Sequence, residues 1–231
     1  GSAARPTFVG LAIVALAACS KHHDAIDRSA AAAVFDTIQL PAVAPGESDL
    51  TVDDHGKLWA IAERDREATE IELHDPAATT VPHPVEGVPD GNDTEAIAWL
   101  GENHFALGME GQQEPTAGVA FADLQPNGHL VVTRVRPLTD AEIGVALTKN
   151  HGAEAICGKG DELYVGIEER GTLPDGGRYA PLVHLRGGEP PSVVKLHLTT
   201  STGKLSAIDC HFAADGSVSV VGIERHYGVA R

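Results

Sequence analysis

The sequence has 231 residues, 42% hydrophobic, 22% charged and only 4% aromatic, a length that favours one domain, or two small ones, with apolar material for a core. Lys plus Arg number 17 against 33 Asp plus Glu, a formal net charge of −16. That acidity argues against nucleic acid or anionic lipid as a partner, because both need clustered positive charge, while it suits a site for a hard cation.

In chain order, the first element is the apolar run Phe8 to Ala18, FVGLAIVALAA. Eleven residues are too few for a membrane-spanning helix, which needs about 20. With Arg5 ahead and small residues behind, the run has the shape of a secretory signal. Its ending, Leu16-Ala17-Ala18-Cys19, resembles a bacterial lipobox, which implies lipidation at Cys19 and, with Ser20 following, an outer-membrane destination. Residues 1–19 are therefore expected to be a signal peptide, 20–33 a flexible tether and 34–231 the folded domain. Contact with a membrane is expected only through the lipid anchor. The remaining thiols are Cys157 and Cys210. They pair in an oxidising compartment or stand as buried thiols inside strands, and both readings stay open. No Cys or His spacing reads as a zinc site.

After the strand-like Val34 to Leu40, one motif returns four times: Ser48 to Asp65, Asp93 to Gln112, Gly152 to Gly171 and Leu205 to His226. Each copy has a short apolar strand, a hairpin turn, and a second strand closing on a glutamate. Further strand-like runs fall at Glu70 to Leu73, Gly118 to Leu124, His129 to Val135, Leu182 to Leu185 and Val193 to Leu198. Ala141 to Thr148 reads as a short helix. The closing glutamates recur at the period of a propeller blade, roughly 40–50 residues with generous loops. The expected fold is all-β, a β-propeller of four-stranded blades. About four blades are visible, with Val34 to Leu40 completing the last one or the ring belonging to a longer propeller. A β-sandwich competes but does not explain a fourfold motif.

The Glu-Ala-Ile openings at Glu95 and Glu154, with the endings Ala62-Glu63-Arg64, Ile167-Glu168-Glu169-Arg170 and Ile223-Glu224-Arg225, resemble the exported phytase-like β-propellers ("esterase-like activity of phytase"). The resemblance covers about Gly46 to Arg231. It implies a cell-envelope protein that hydrolyses a small phosphorylated or ester substrate. The chain departs from that family in having Ala96 and Ala155 where Gly is usual, and in being shorter.

Innermost propeller strands line the central channel. The first strand of each repeat is expected there, bringing Asp49, Glu95, Glu154 and Asp209 towards one axis. Converging carboxylates repel unless a cation or a proton relieves them, and calcium, which takes 6–8 oxygen ligands in irregular geometry, answers that need. Glu63, Glu110, Glu168 and Glu224 are expected at the channel mouth. Arg64, Arg170 and Arg225 follow closely, and neighbours on a strand point to opposite faces, so these pairs are not expected to be simple ion pairs; glutamates over the channel mouth with arginines between blades is one reading, and a structural tie between adjacent blades competes with a catalytic role. No G-x-S-x-G elbow, phosphate loop or acid-phosphatase motif occurs. Phosphoester chemistry would therefore be metal-assisted. The alternative function is a non-catalytic propeller that binds a ligand or an envelope protein.

Overall fold

Alternating and doubly apolar runs separated by tight turns give fifteen strands among the described residues, with one helical turn between them. The structure is a computed structural model that describes Leu40, residues 44–74 and residues 77–226. The expected signal peptide, the expected tether, Cys19 and most of the run Val34 to Leu40, expected as a strand, lie outside the described residues.

The strands fold as antiparallel meanders, one per repeat. Blade 1 is β1 (Glu47–Val52), β2 (Leu58–Ala62), β3 (Glu67–His74) and β4 (Ala77–Glu86). Blade 2 is β5 (Asn92–Gly101), β6 (His104–Gly111), β7 (Ala117–Leu124) and β8 (Leu130–Leu138). Blade 3 is β9 (Ala153–Lys159), β10 (Glu162–Ile167), β12 (Arg178–Arg186) and β13 (Ser192–His197), with the two-residue β11 (Gly171–Thr172) paired to β12. Blade 4 is the hairpin β14 (Lys204–Phe212) and β15 (Val218–Arg225). The first strands β1, β5, β9 and β14 pack on one another in that order, so they are the inner strands of a β-propeller. The outer strands of blades 1 and 2 touch through a short parallel pairing, Val85 with Leu130 and Glu86 with Val131.

The core lies between blade faces. Trp59, Ile61, Ile97, Phe105 and Leu107 fill the space between blades 1 and 2, with Phe105 edge-on to both Trp59 and Trp99. Ala96, Ala98, Val119, Ile156, Val165 and Val183 fill the next interface, and Ala155, Leu182, Leu205 and Ile208 the last. Strand β5 is apolar on both faces because a blade covers each side. Cys157 on β9 and Cys210 on β14 form a disulfide with Cα atoms 5.6 Å apart, which staples two inner strands across 53 residues.

One expectation is corrected and one strand was not anticipated. The helix is a single turn, α1 (Asp140–Ile143), capped by Thr139 and Glu142 in a capping box and stopped by Gly144 at φ 82°. Strand β4 was not legible because Pro82 and Pro84 interrupt its pattern; as the outermost strand of its blade it tolerates their missing donors.

Candidate functional site

The inner strands share a local irregularity. In the β1–β2 register Glu47 faces Ala62 and Asp49 faces Ile61, so Ser48 is an extra residue. The same slip makes Glu95 extra in β5, Glu154 in β9 and Ser206 in β14. Such a β-bulge bends its strand and re-aims a side chain, and here it recurs at equivalent positions in all four blades. Glu95 and Glu154 are therefore structural equivalents. Asp49 is not their equivalent: it sits one residue further along, level with Ala96, and Asp209 is level with Ala98.

Glu95 and Glu154 line a cavity of about 540 Å³ at one end of the inner strands, together with Glu63, Glu110, Glu168, His151, Arg64, Lys204 and Arg225. Ser48 Oγ donates to Glu95 Oε2 at 2.8 Å. The other oxygen, Oε1, is buried without a hydrogen-bond partner, although only 5% of the residue is exposed. Burial, then the charges of Glu110, Glu154 and Glu63, push the Glu95 carboxyl up to about 8 despite the Ser48 bond. Burial and the charges of Glu168 and Glu110 raise Glu154 to about 7, with Arg225 and Lys204 opposing them.

Glu110 is buried, accepts the Gly152 N–H at 3.2 Å and is also raised by burial. The chain passes so close there that a Cβ on Gly152 would fall 2.2 Å from Glu110 Cβ. Glu168, 2% exposed, meets Lys204 Nζ at 2.9 Å and Arg225 Nη2 at 3.2 Å. The same Arg225 nitrogen lies 3.7 Å from Glu154. Glu63 follows the end of β2, where strand alternation no longer applies, so Arg64 turns back and pairs with it at 2.6 Å. That corrects the expectation that sequence neighbours could not form ion pairs.

One carboxylate at the site was missed. Asp93, 6% exposed, offers an oxygen that lies with those of Glu63 and Glu95 inside a 4.8 Å group. Gln112 donates to its Oδ1 at 2.6 Å. The available signal was the Asp-x-Glu spacing, which puts two carboxylates on one face of a strand.

Three expected residues stand elsewhere. Asp49 accepts the Ile97 N–H at 3.1 Å and so ties β1 to the free edge of β5. Burial raises it to about 7, and the charge of Asp209 adds to that. Asp209 is exposed and accepts the N–H of Cys210. Glu224 is displaced by a register slip in blade 4. Ala96 pairs with Gly108 and Ala155 with Gly166, but Ala207 pairs with Ile223 rather than Gly222. A one-residue slip turns side chains to the other face. Arg225 therefore takes the place that Glu110 and Glu168 hold, and Glu224 turns to the Thr199–Thr200 turn. Burial would lift the Glu224 carboxyl, but bonds from both threonines, backbone and hydroxyl, outweigh it and hold it low.

Fold and pocket together define the class: an all-β propeller with buried carboxylates and a cationic wall at one end of its axis. No family model matches the chain, and no curated protein matches it. Among solved structures it is similar, at 10% identity and a TM-score of 0.38, to a protein of unknown function from Bacteroides caccae. That match covers 83% of this chain and 61% of the other, so this chain spans about three-fifths of that protein's length. It is similar at 13% identity and 0.33 to a protein from Lactobacillus plantarum, with 81% and 73% covered. Virginiamycin B lyase from Staphylococcus aureus matches at 10% and 0.32, with 77% and 84% covered.

Proposed function

We propose that Glu63, Asp93 and Glu95 hold a calcium ion and that the pocket hydrolyses a small phosphorylated or ester substrate. The observation that carries this reading is Glu95, a buried carboxylate with one oxygen, Oε1, left without a hydrogen-bond partner, which belongs to a group of three converging carboxylates. A donor set made only of oxygens suits a hard dication. Bound there, the ion would supply Lewis-acid polarisation and an acidified water. Ser48 orients Glu95, and Gln112 orients Asp93. Lys204 and Arg225 offset the charge of Glu168 and Glu154 and give an anionic substrate group a wall to face. Glu154, raised towards neutrality by burial, holds a proton close to working pH.

The disulfide supports the proposal that the protein is exported, since such bonds persist in oxidising compartments; the envelope-lipoprotein part of that proposal rests on the lipobox-like Leu16-Ala17-Ala18-Cys19. The phytase-like assignment rests on the motif resemblance. A second reading, a non-catalytic propeller that binds a ligand or envelope partner, is favoured by one feature: Glu168 and Glu154 already engage Lys204 and Arg225. Rates on a panel of phosphate and carboxylic esters, with calcium and with chelator, decide between the two. Calcium-dependent turnover is expected, and no turnover under any condition favours the binder.

A further inference from the structure

A second cavity, of about 450 Å³, lies at the other end of β5 from the axial pocket, between the outer strands of blade 2 and two turns of blade 3. Its floor is apolar: Leu100, Leu163 and Leu185, each at most 9% exposed, and the half-buried Phe121. Two backbone bonds fix the blade 3 side. The Gly160 N–H, in the β9–β10 turn, donates to the Leu100 carbonyl at 2.9 Å, and the Gly187 N–H, after β12, donates to the Asp161 carbonyl at 3.1 Å. A cavity of this size, with an apolar floor and a few polar groups, has the dimensions that hold a small organic ligand.

The polar group set over that floor is Arg134. In the β7–β8 register Phe121 faces Arg134 and Ala122 faces Val132, so Thr133 is an extra residue in β8. The bulge re-aims the strand and leaves Arg134 opposite Phe121, with Cζ 3.7 Å from the ring centroid. Stacking occupies the face of the guanidinium and leaves its in-plane N–H donors, a fork that matches a carboxylate. Two other arginines of the cavity already hold carboxylates, Arg136 with Glu142 at 2.6 Å and Arg186 with Glu162 at 3.1 Å. Arg134 has neither a hydrogen bond nor an ion pair among the described residues. Asp123 is engaged by His104 at 2.7 Å, while Asp161 and Glu189 stand on the blade 3 turns. Their charges repel a dianion more than a monoanion.

We propose that this cavity binds a small amphipathic carboxylate, its acid on the Arg134 fork and its apolar body over Phe121 and the leucines. The site is separate from the carboxylate pocket and stands without the hydrolytic reading. The test titrates the full chain by calorimetry and amide NMR with hydrocinnamate, its neutral amide, acetate and inorganic phosphate. Chelator is present throughout, so that a metal in the axial pocket offers no second place for a carboxylate. Hydrocinnamate is expected to bind at one site and to shift the Ala122, Arg134 and Gly160 amides. The amide lacks the charge, acetate the apolar body and phosphate the single charge, and each is expected to bind about 10-fold more weakly or worse. Arg134→Gln, at an exposed position, is expected to weaken hydrocinnamate about 10-fold, and Arg134→Lys to lose less, since it keeps the charge without the fork. No saturable binding at millimolar hydrocinnamate overturns the proposal. So does an amide or phosphate that binds as tightly as the acid, a set of shifts confined to the axial pocket, or an Arg134→Gln chain with wild-type affinity.

Discussion

Blade 2 brings Glu95 from its bulge and Glu110 from its second strand into the axial pocket, whereas blade 4, built from a recognisable copy of the motif, carries Ser206 at the bulge and brings Arg225 to the pocket. The other differences follow from packing. Blade 2 is covered on both faces, and its inner strands hold side chains with almost no exposure. Blade 4 is a hairpin whose Val221 and Ile223 are 46% and 54% exposed. A motif thus fixes which residue types are available. The register of its hairpin decides which of them reach the axis, and there one residue exchanges a glutamate for an arginine.

The largest test of that contrast is truncation of a side chain in each blade. Phe105→Ala, which empties a site with 0% exposure, should cost about 3–5 kcal/mol. Val221→Ala should cost less than about 0.5 kcal/mol. Urea unfolding measures both, and equal losses would remove the distinction between covered and open blades.

Next is the staple. Replacing Cys157 and Cys210 by Ser should cost about 2–4 kcal/mol, as expected for closing a long loop. Its effect should be local: amide exchange should rise first in β14 and β15, while β5 and β6 keep their protection.

The smallest effect is electrostatic. In the folded state Glu95 keeps its proton up to about pH 8, whereas unfolded it releases it near 4.5. Between those values the native state binds more protons than the unfolded one, so without a cation stability falls as pH rises from about 4.5 to 8. Glu95→Gln should flatten that slope and, at pH 8, stabilise by about 1 kcal/mol after allowance for solvent screening. Arg225→Gln should act in the opposite sense, raising the Glu154 carboxyl further by removing a cation that lowers it.

Much of the fold was legible in the sequence, because hairpin turns and apolar runs repeat with little ambiguity. Strand β4 escaped because Pro82 and Pro84 hide an outer strand. The site was legible in part. Glu95 and Glu154 announced themselves through an identical Glu-Ala-Ile triplet, and Glu63, Glu110 and Glu168 through their place at strand ends. Asp49 and Asp209 were aligned by residue type, whereas the bulge places Ser48 and Ser206 at the equivalent positions. Glu224 was aligned by the Ile-Glu-Arg string, which carries no information about pairing across a hairpin. The cationic wall of Lys204 and Arg225 meets Glu154 and Glu168 from distant stretches of sequence, and only the folded chain joins them.

The proposed hydrolysis depends on a divalent cation held by Glu63, Asp93 and Glu95. The most direct test of that cation is the melting temperature of the full chain in millimolar calcium and in excess chelator, for the wild type and for Glu95→Gln combined with Asp93→Asn. Calcium at 100 times its Kd should stabilise the wild type by about 2.7 kcal/mol, roughly 5–10 °C for a domain of this size, and the double variant should not respond. A wild type that melts at the same temperature in both conditions would contradict the claim.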